Sequence, residues 1–107
     1  MSHDHESPVL ASAISAIRDM TAAKAEAEAQ IANCLRSLAS EEAMLLSLLA
    51  EPETHVNKQY LKAAKKACRL GIKAWNLSIV AYQNDVDAHE VEINAILKRT
   101  PEARQDH

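Results

Sequence analysis

The sequence predicts an all-α protein, folded as a hairpin of two long antiparallel helices. Alanine, the strongest helix former, occurs 20 times in 107 residues, whereas glycine occurs once. The stretch from Val9 to Ala50 contains neither glycine nor proline, and Pro52 then interrupts the chain near its middle. On both sides of Pro52, apolar residues recur at steps of three, four and seven, as they do on one face of a helix.

The first helix is predicted over residues 8–50. Ser7 is a suitable N-cap, and Pro8 suits the first helical position, where its missing N–H group is not needed. Lys24 interrupts the apolar stripe, and Ser40 followed by two acidic residues resembles a helix start, so a break at Ser40 is the alternative. The stripe consists of Ala13, Ile17, Met20, Ala27, Ile31, Cys34, Leu38, Leu45 and Leu49.

The turn is predicted at residues 51–54 and the second helix over about 55–99. Pro52 cannot continue a helix, Thr54 or Asn57 can cap the next one, and Thr100-Pro101 ends it. A break at Gly71 is the alternative, but the heptad pattern crosses Gly71 without a change of phase. Residues 1–7 and 101–107 are expected to be flexible tails around one helical domain, residues 8–100.

A heptad seam is the clearest pattern in the second helix. Two series spaced by seven and offset by three form the a and d positions of a coiled coil, with β-branched residues at most of the a positions. Alanines at 67, 74, 81, 88 and 95 form a row beside it that lets another helix approach closely. Two helices cannot cover both surfaces, so we expect a homodimer that completes a four-helix bundle. The packing seam comprises Ile72, Trp75, Ile79, Tyr82, Val86, His89, Ile93 and Ile96.

Charge is unevenly distributed along the chain. Residues 1–54 have nine acidic and three basic side chains, whereas residues 55–107 have six and nine. Six basic residues without an intervening acid suggest an anion site for an acidic protein or a nucleic-acid backbone. The simpler interpretation is a solvated face that balances the acidic first helix. This basic stripe comprises Lys58, Lys62, Lys65, Lys66, Arg69 and Lys73.

Candidates for catalysis and metal binding are few. His89, at a d position, is expected to fix helix register rather than bind a metal, because the chain has no Glu-x-x-His pair. His3, His5 and His107 lie in the tails. Cys34 and Cys68 are expected to be small core residues without a disulfide. We therefore predict no catalytic residue, no metal and no cofactor.

These observations predict a non-enzymatic protein–protein interaction module, such as an adaptor, chaperone-like protein, inhibitor or structural subunit. Its expected partners are a second copy of itself and a protein with an acidic surface. No apolar stretch has the ~20 residues of a membrane span, and the cytoplasm is the expected location. A nucleic-acid-binding bundle that uses residues 58–73 is the alternative, and a metal–carboxylate enzyme is a third hypothesis.

Overall fold

The computed structural model describes residues 7–106. Two long helices form a hairpin: α1 spans Pro8–Ala50 and α2 spans Lys58–Arg99. A 3-10 helix, Pro101–Asp106, follows α2, and no strand occurs among the described residues. The predicted bounds of α1 are confirmed, whereas α2 begins three residues later than expected. Neither helix breaks at the two alternative positions, Ser40 and Gly71.

The start of α1 shows the predicted N-cap. The backbone N–H of Leu10 donates to the Ser7 Oγ atom at 3.0 Å, and the N–H of Ala11 donates to the Ser7 carbonyl oxygen at 3.1 Å. A side-chain acceptor at this position satisfies one of the N–H groups that lack a partner in the first turn. Pro8, immediately after the cap, has no N–H group and therefore needs no acceptor.

A reciprocal pair of hydrogen bonds joins Thr54 and Asn57 immediately before α2. The Asn57 N–H donates to Thr54 Oγ1 at 3.1 Å, while the Thr54 N–H donates to Asn57 Oδ1 at 2.7 Å. Asn57 Nδ2 also donates to the Pro52 carbonyl oxygen at 3.2 Å. This arrangement is a capping box, with Asn in the position of the usual Glu or Gln. Residues 55–57 are therefore held in a turn.

The contacts of the chain cluster in two units, of which the first comprises the residues up to Glu28 and those from Gln83 onward. Its core contains Ala13, Ile14 and Ile17 from α1, with Ile96 from α2 and Ala103. Ile17 is 1% exposed. In the same unit Lys24, which interrupts the apolar stripe, has its Nζ atom 3.3 Å from Glu90 Oε2 on α2.

The 3-10 helix lies in the segment 101–107, for which a flexible tail was expected. The N–H of Ala103 donates to the Thr100 carbonyl oxygen, and the Ala103 side chain is fully buried in the core of the first unit. Pro101 does stop α2, as predicted. The chain then continues in a tighter helix because the small Ala103 side chain fits against the apolar residues of α1 and α2.

The second unit comprises residues 29–82 and has its own core. Leu48, Leu61 and Cys68 are buried there, with Leu45 and Ala64 packed against them. Cys34 is also buried, and both cysteines are free, as predicted. In α1 it is Leu48 rather than the predicted Leu49 that enters the core, since Leu49 is 49% exposed.

The predicted seam of α2 faces the interior along its length. Val86 and Ile96 are buried, and the other six members are half-buried: Ile72, Trp75, Ile79, Tyr82, His89 and Ile93. The Trp75 ring is half-buried. One neighbouring helix covers only one side of so large a ring. The alanines at 67, 74, 81 and 88 are exposed, so no second neighbour covers that row within the hairpin.

Gly71 lies inside α2, at a point where a side chain of α1 comes close to the helix. A Cβ atom at Gly71 would meet the carboxylate of Glu41 on α1, so the glycine provides room for that side chain against the helix. Its backbone has no positive φ. The residue therefore serves a close approach between two helices and not a helix end, which would favour the left-handed conformation.

Neither helix could cross a membrane, because no described segment combines the necessary length with sufficient hydropathy.

Candidate partner-binding site

Four members of the basic stripe line one shallow pocket in the second unit. The pocket has a volume of about 300 Å³. Lys58, Lys62 and Arg69 are exposed, whereas Lys65 is half-buried. Leu49 of α1 and Glu53 of the turn complete the wall. The pocket thus combines four cations, one carboxylate and one apolar side chain.

Helix periodicity puts the four cations of the pocket on the same face of α2. Lys58, Lys62, Lys65 and Arg69 follow one another at steps of four, three and four, which keeps them on one face of α2. The hydrogen bonds between Thr54 and Asn57 lie immediately before Lys58, the first residue of α2. Glu53, in the turn before α2, also lines the pocket.

The electrostatics of the pocket favour an anion. Four positive side chains face a single carboxylate, and no described ion pair within residues 29–82 neutralises any of the four cations. Cations so close together repel one another, and an external carboxylate relieves that repulsion. A carboxylate in contact with Arg69 or a lysine gains a charge-assisted hydrogen bond.

Lys66 and Lys73, the other two predicted stripe residues, do not line the pocket. Both are exposed, and they lie at the edge of the arc that the stripe covers on α2. Sequence reasoning grouped six cations, whereas the structure brings four of them together. It also adds Leu49 and Glu53, which no helical period could link to the stripe because they precede α2.

A larger cavity of about 470 Å³ lies in the first unit. Ser12 and Thr100 contribute hydroxyl groups and Arg99 a cation, but the lining contains no histidine, carboxylate or cysteine that would serve as a general base. Its other lining residues are apolar.

The remaining candidates form no site within the described part of the chain. His89 is half-buried, and no group of three or more potential metal ligands occurs among residues 7–106. His3, His5 and His107 lie outside the described residues. The two cysteines are buried, which keeps them from solvent-borne substrates.

Comparison with protein families, with curated proteins and with solved structures found no match to this chain.

Proposed function

We propose that this protein is a non-enzymatic protein–protein interaction module that self-associates and uses the pocket of Lys58, Lys62, Lys65 and Arg69 to bind an acidic segment of a protein partner. The observation that carries the proposal is the convergence of these four cations around one cavity of about 300 Å³. Such a cavity accepts one or two side chains, which fits the recognition of a peptide segment.

The residues that line the pocket indicate which kind of peptide segment would bind there. Leu49 and the methylene stems of the lysines provide apolar contact, and the ammonium and guanidinium groups provide charge. A glutamate or aspartate followed by an apolar residue would satisfy both. Arg69 adds directional selectivity, because a guanidinium binds a carboxylate through two parallel hydrogen bonds.

Self-association is supported by the apolar side chains that the hairpin leaves in solvent. The large exposed side chains include Leu70 at 58%, Leu77 at 62% and Val91 at 67%, all on α2. Extended apolar surface of this kind is characteristic of association sites. A homodimer that forms a four-helix bundle would cover part of it. Two free cysteines fit a reducing compartment, and we place the protein in the cytoplasm.

Nucleic-acid binding is the second candidate. Six cations lie within residues 58–73 without an acid, and Tyr60, in the same segment, is 64% exposed and available for stacking. One feature favours an acidic protein instead: Tyr60 does not line the pocket around which four of the cations converge.

The first prediction tests the pocket with a defined probe. A fluorescent peptide of alternating glutamate and leucine should bind the wild-type protein. Replacing Lys58, Lys62, Lys65 and Arg69 with Gln should weaken that binding by on the order of tenfold or more. Helicity should be retained, because exposed charges contribute little to stability. Fluorescence anisotropy measures the binding and circular dichroism the helicity.

A matched control removes four exposed cations that lie outside the pocket: Arg18, Arg36, Lys98 and Arg104, each to Gln. It should bind the peptide as the wild type does. Equal binding by the pocket variant would contradict the proposal. A mixed-sequence single-stranded DNA that binds more tightly than the peptide, with steep salt dependence, would favour the nucleic-acid alternative.

A further inference from the structure

The side of α2 opposite the packed seam carries a second heptad pattern, and it is exposed. Leu70, Leu77 and Val91 are 58%, 62% and 67% exposed. Alanines alternate with them at steps of three and four, as in the a and d positions of a coiled coil. Asn84 stands seven residues from both Leu77 and Val91 and so belongs to the same heptad position as they do. The exposed series is Ala67, Leu70, Ala74, Leu77, Ala81, Asn84, Ala88 and Val91.

Opposite charges flank the two ends of this series. Within residues 29–82, Lys66 and Lys73 lie beside the apolar positions and are exposed. From Gln83 onward the flanking side chains are acidic instead: Asp85, Asp87 and Glu92, all exposed. Gln83 Nε2 donates to Asp87 Oδ1 at 3.1 Å and so orients that carboxylate.

The charges of the two units follow the same division. Residues 29–82 contain four acidic and seven basic side chains, a net charge of +3, whereas the rest of the chain contains eleven and five, a net charge of −6. A second copy of the chain can therefore offer each unit a surface of opposite net charge. A partner helix of uniform charge would match only one end of the series.

We propose that a second copy of this chain covers the exposed face of α2, with the two α2 helices antiparallel. The proposal rests on the self-association proposed above and specifies the face and the direction. Because this face is opposite the seam that packs on α1, the four helices of the dimer would lie side by side in one layer instead of enclosing a common core. A parallel pair would set Asp87 beside Glu92 of the second copy, a contact between like charges. The antiparallel pair sets Lys66 beside Asp87 of the second copy, and two-fold symmetry makes this contact twice.

One antiparallel register also matches large side chains with small ones. Alternation of this kind lets facing helices interdigitate at close distance without voids. Each layer then contains one alanine from one copy and one larger residue from the other. The layers are Ala67 with Val91, Leu70 with Ala88, Ala74 with Asn84, and Leu77 with Ala81.

Charge reversal tests whether the two α2 helices are antiparallel. Sedimentation equilibrium of the full chain measures how tightly each variant dimerises. Lys66→Glu and Asp87→Lys should each weaken the dimer by on the order of tenfold, because each places like charges in contact. Mixed in equal amounts, the two variants should form a heterodimer at least as tight as the wild-type dimer. A mixture no tighter than either variant alone would overturn the antiparallel arrangement.

Matched leucine variants test the face. Leu77→Glu should yield a helical monomer, whereas Leu46→Glu, at a leucine of α1 with similar exposure, should remain dimeric. A dimer that survives Leu77→Glu would overturn this inference and leave the proposed self-association intact. A wild-type protein that is monomeric throughout would overturn both. Peptide binding by the pocket is measured separately and depends on neither result.

Discussion

Replacing Ile17 with Asp should lower the free energy of unfolding by roughly 3–5 kcal/mol or more. Ile17 is 1% exposed and packs in the core of Ala13, Ile14, Ile96 and Ala103. None of these side chains can donate a hydrogen bond to a carboxylate, so the charge would be buried without a partner. Chemical denaturation followed by circular dichroism measures the change.

Ser15→Asp is the matched control, because it adds the same side chain to the exposed side of the same helical turn. Its free energy of unfolding should remain within about 0.5 kcal/mol of the wild type, as is usual for surface substitutions. If both variants unfold at the wild-type denaturant concentration, Ile17 is not in a core and the packing of the first unit is wrong.

Leu61→Ala should cost roughly 2–5 kcal/mol, the range for removing a fully buried leucine. Leu61 is 1% exposed in the core that it shares with Leu48 and Cys68. Two helices joined by a capped turn have little freedom to collapse into the cavity. The value should therefore fall in the upper part of the range.

Leu46→Ala provides the control, since the same atoms are removed from a leucine that is 68% exposed. We expect a change below about 1 kcal/mol there. The difference between the two variants, measured at a protein concentration low enough to exclude association, isolates the contribution of burial. Equal losses at both positions would contradict the core described for the second unit.

Features set by local chemistry could be predicted from the sequence. Ser7 and Pro8 mark the start of α1, and Pro52 marks the turn, because a cap and a missing N–H act within one helical turn. A heptad repeat likewise depends only on helical geometry, so the residues of the α2 seam share one face of the helix.

Contacts distant in sequence could not be predicted, and neither could the choice between two neighbouring caps. Thr54 and Asn57 were both candidate caps, and the structure shows them bonded to each other. Burial of Ala103 requires the apolar surface that α1 and α2 form together. Trp75 is half-buried because the width of its ring exceeds what one facing helix covers.

The candidate site shows the same division. Helical spacing predicted the stripe that contains Lys58, Lys62, Lys65 and Arg69, all on one helix. The pocket itself needs Leu49 and Glu53 from before α2, and its boundary excludes Lys66 and Lys73. Which cations converge depends on where the turn brings α1 against α2, and the sequence pattern of α2 has no information on that.

The mass of the full chain in solution tests self-association, the central claim, most directly. Light scattering coupled to size exclusion should give twice the 11.7 kDa of one chain, because the exposed face of α2 and its complementary charges would be covered by a second copy. A mass of 11.7 kDa at every concentration tested, with full helicity by circular dichroism, would contradict it.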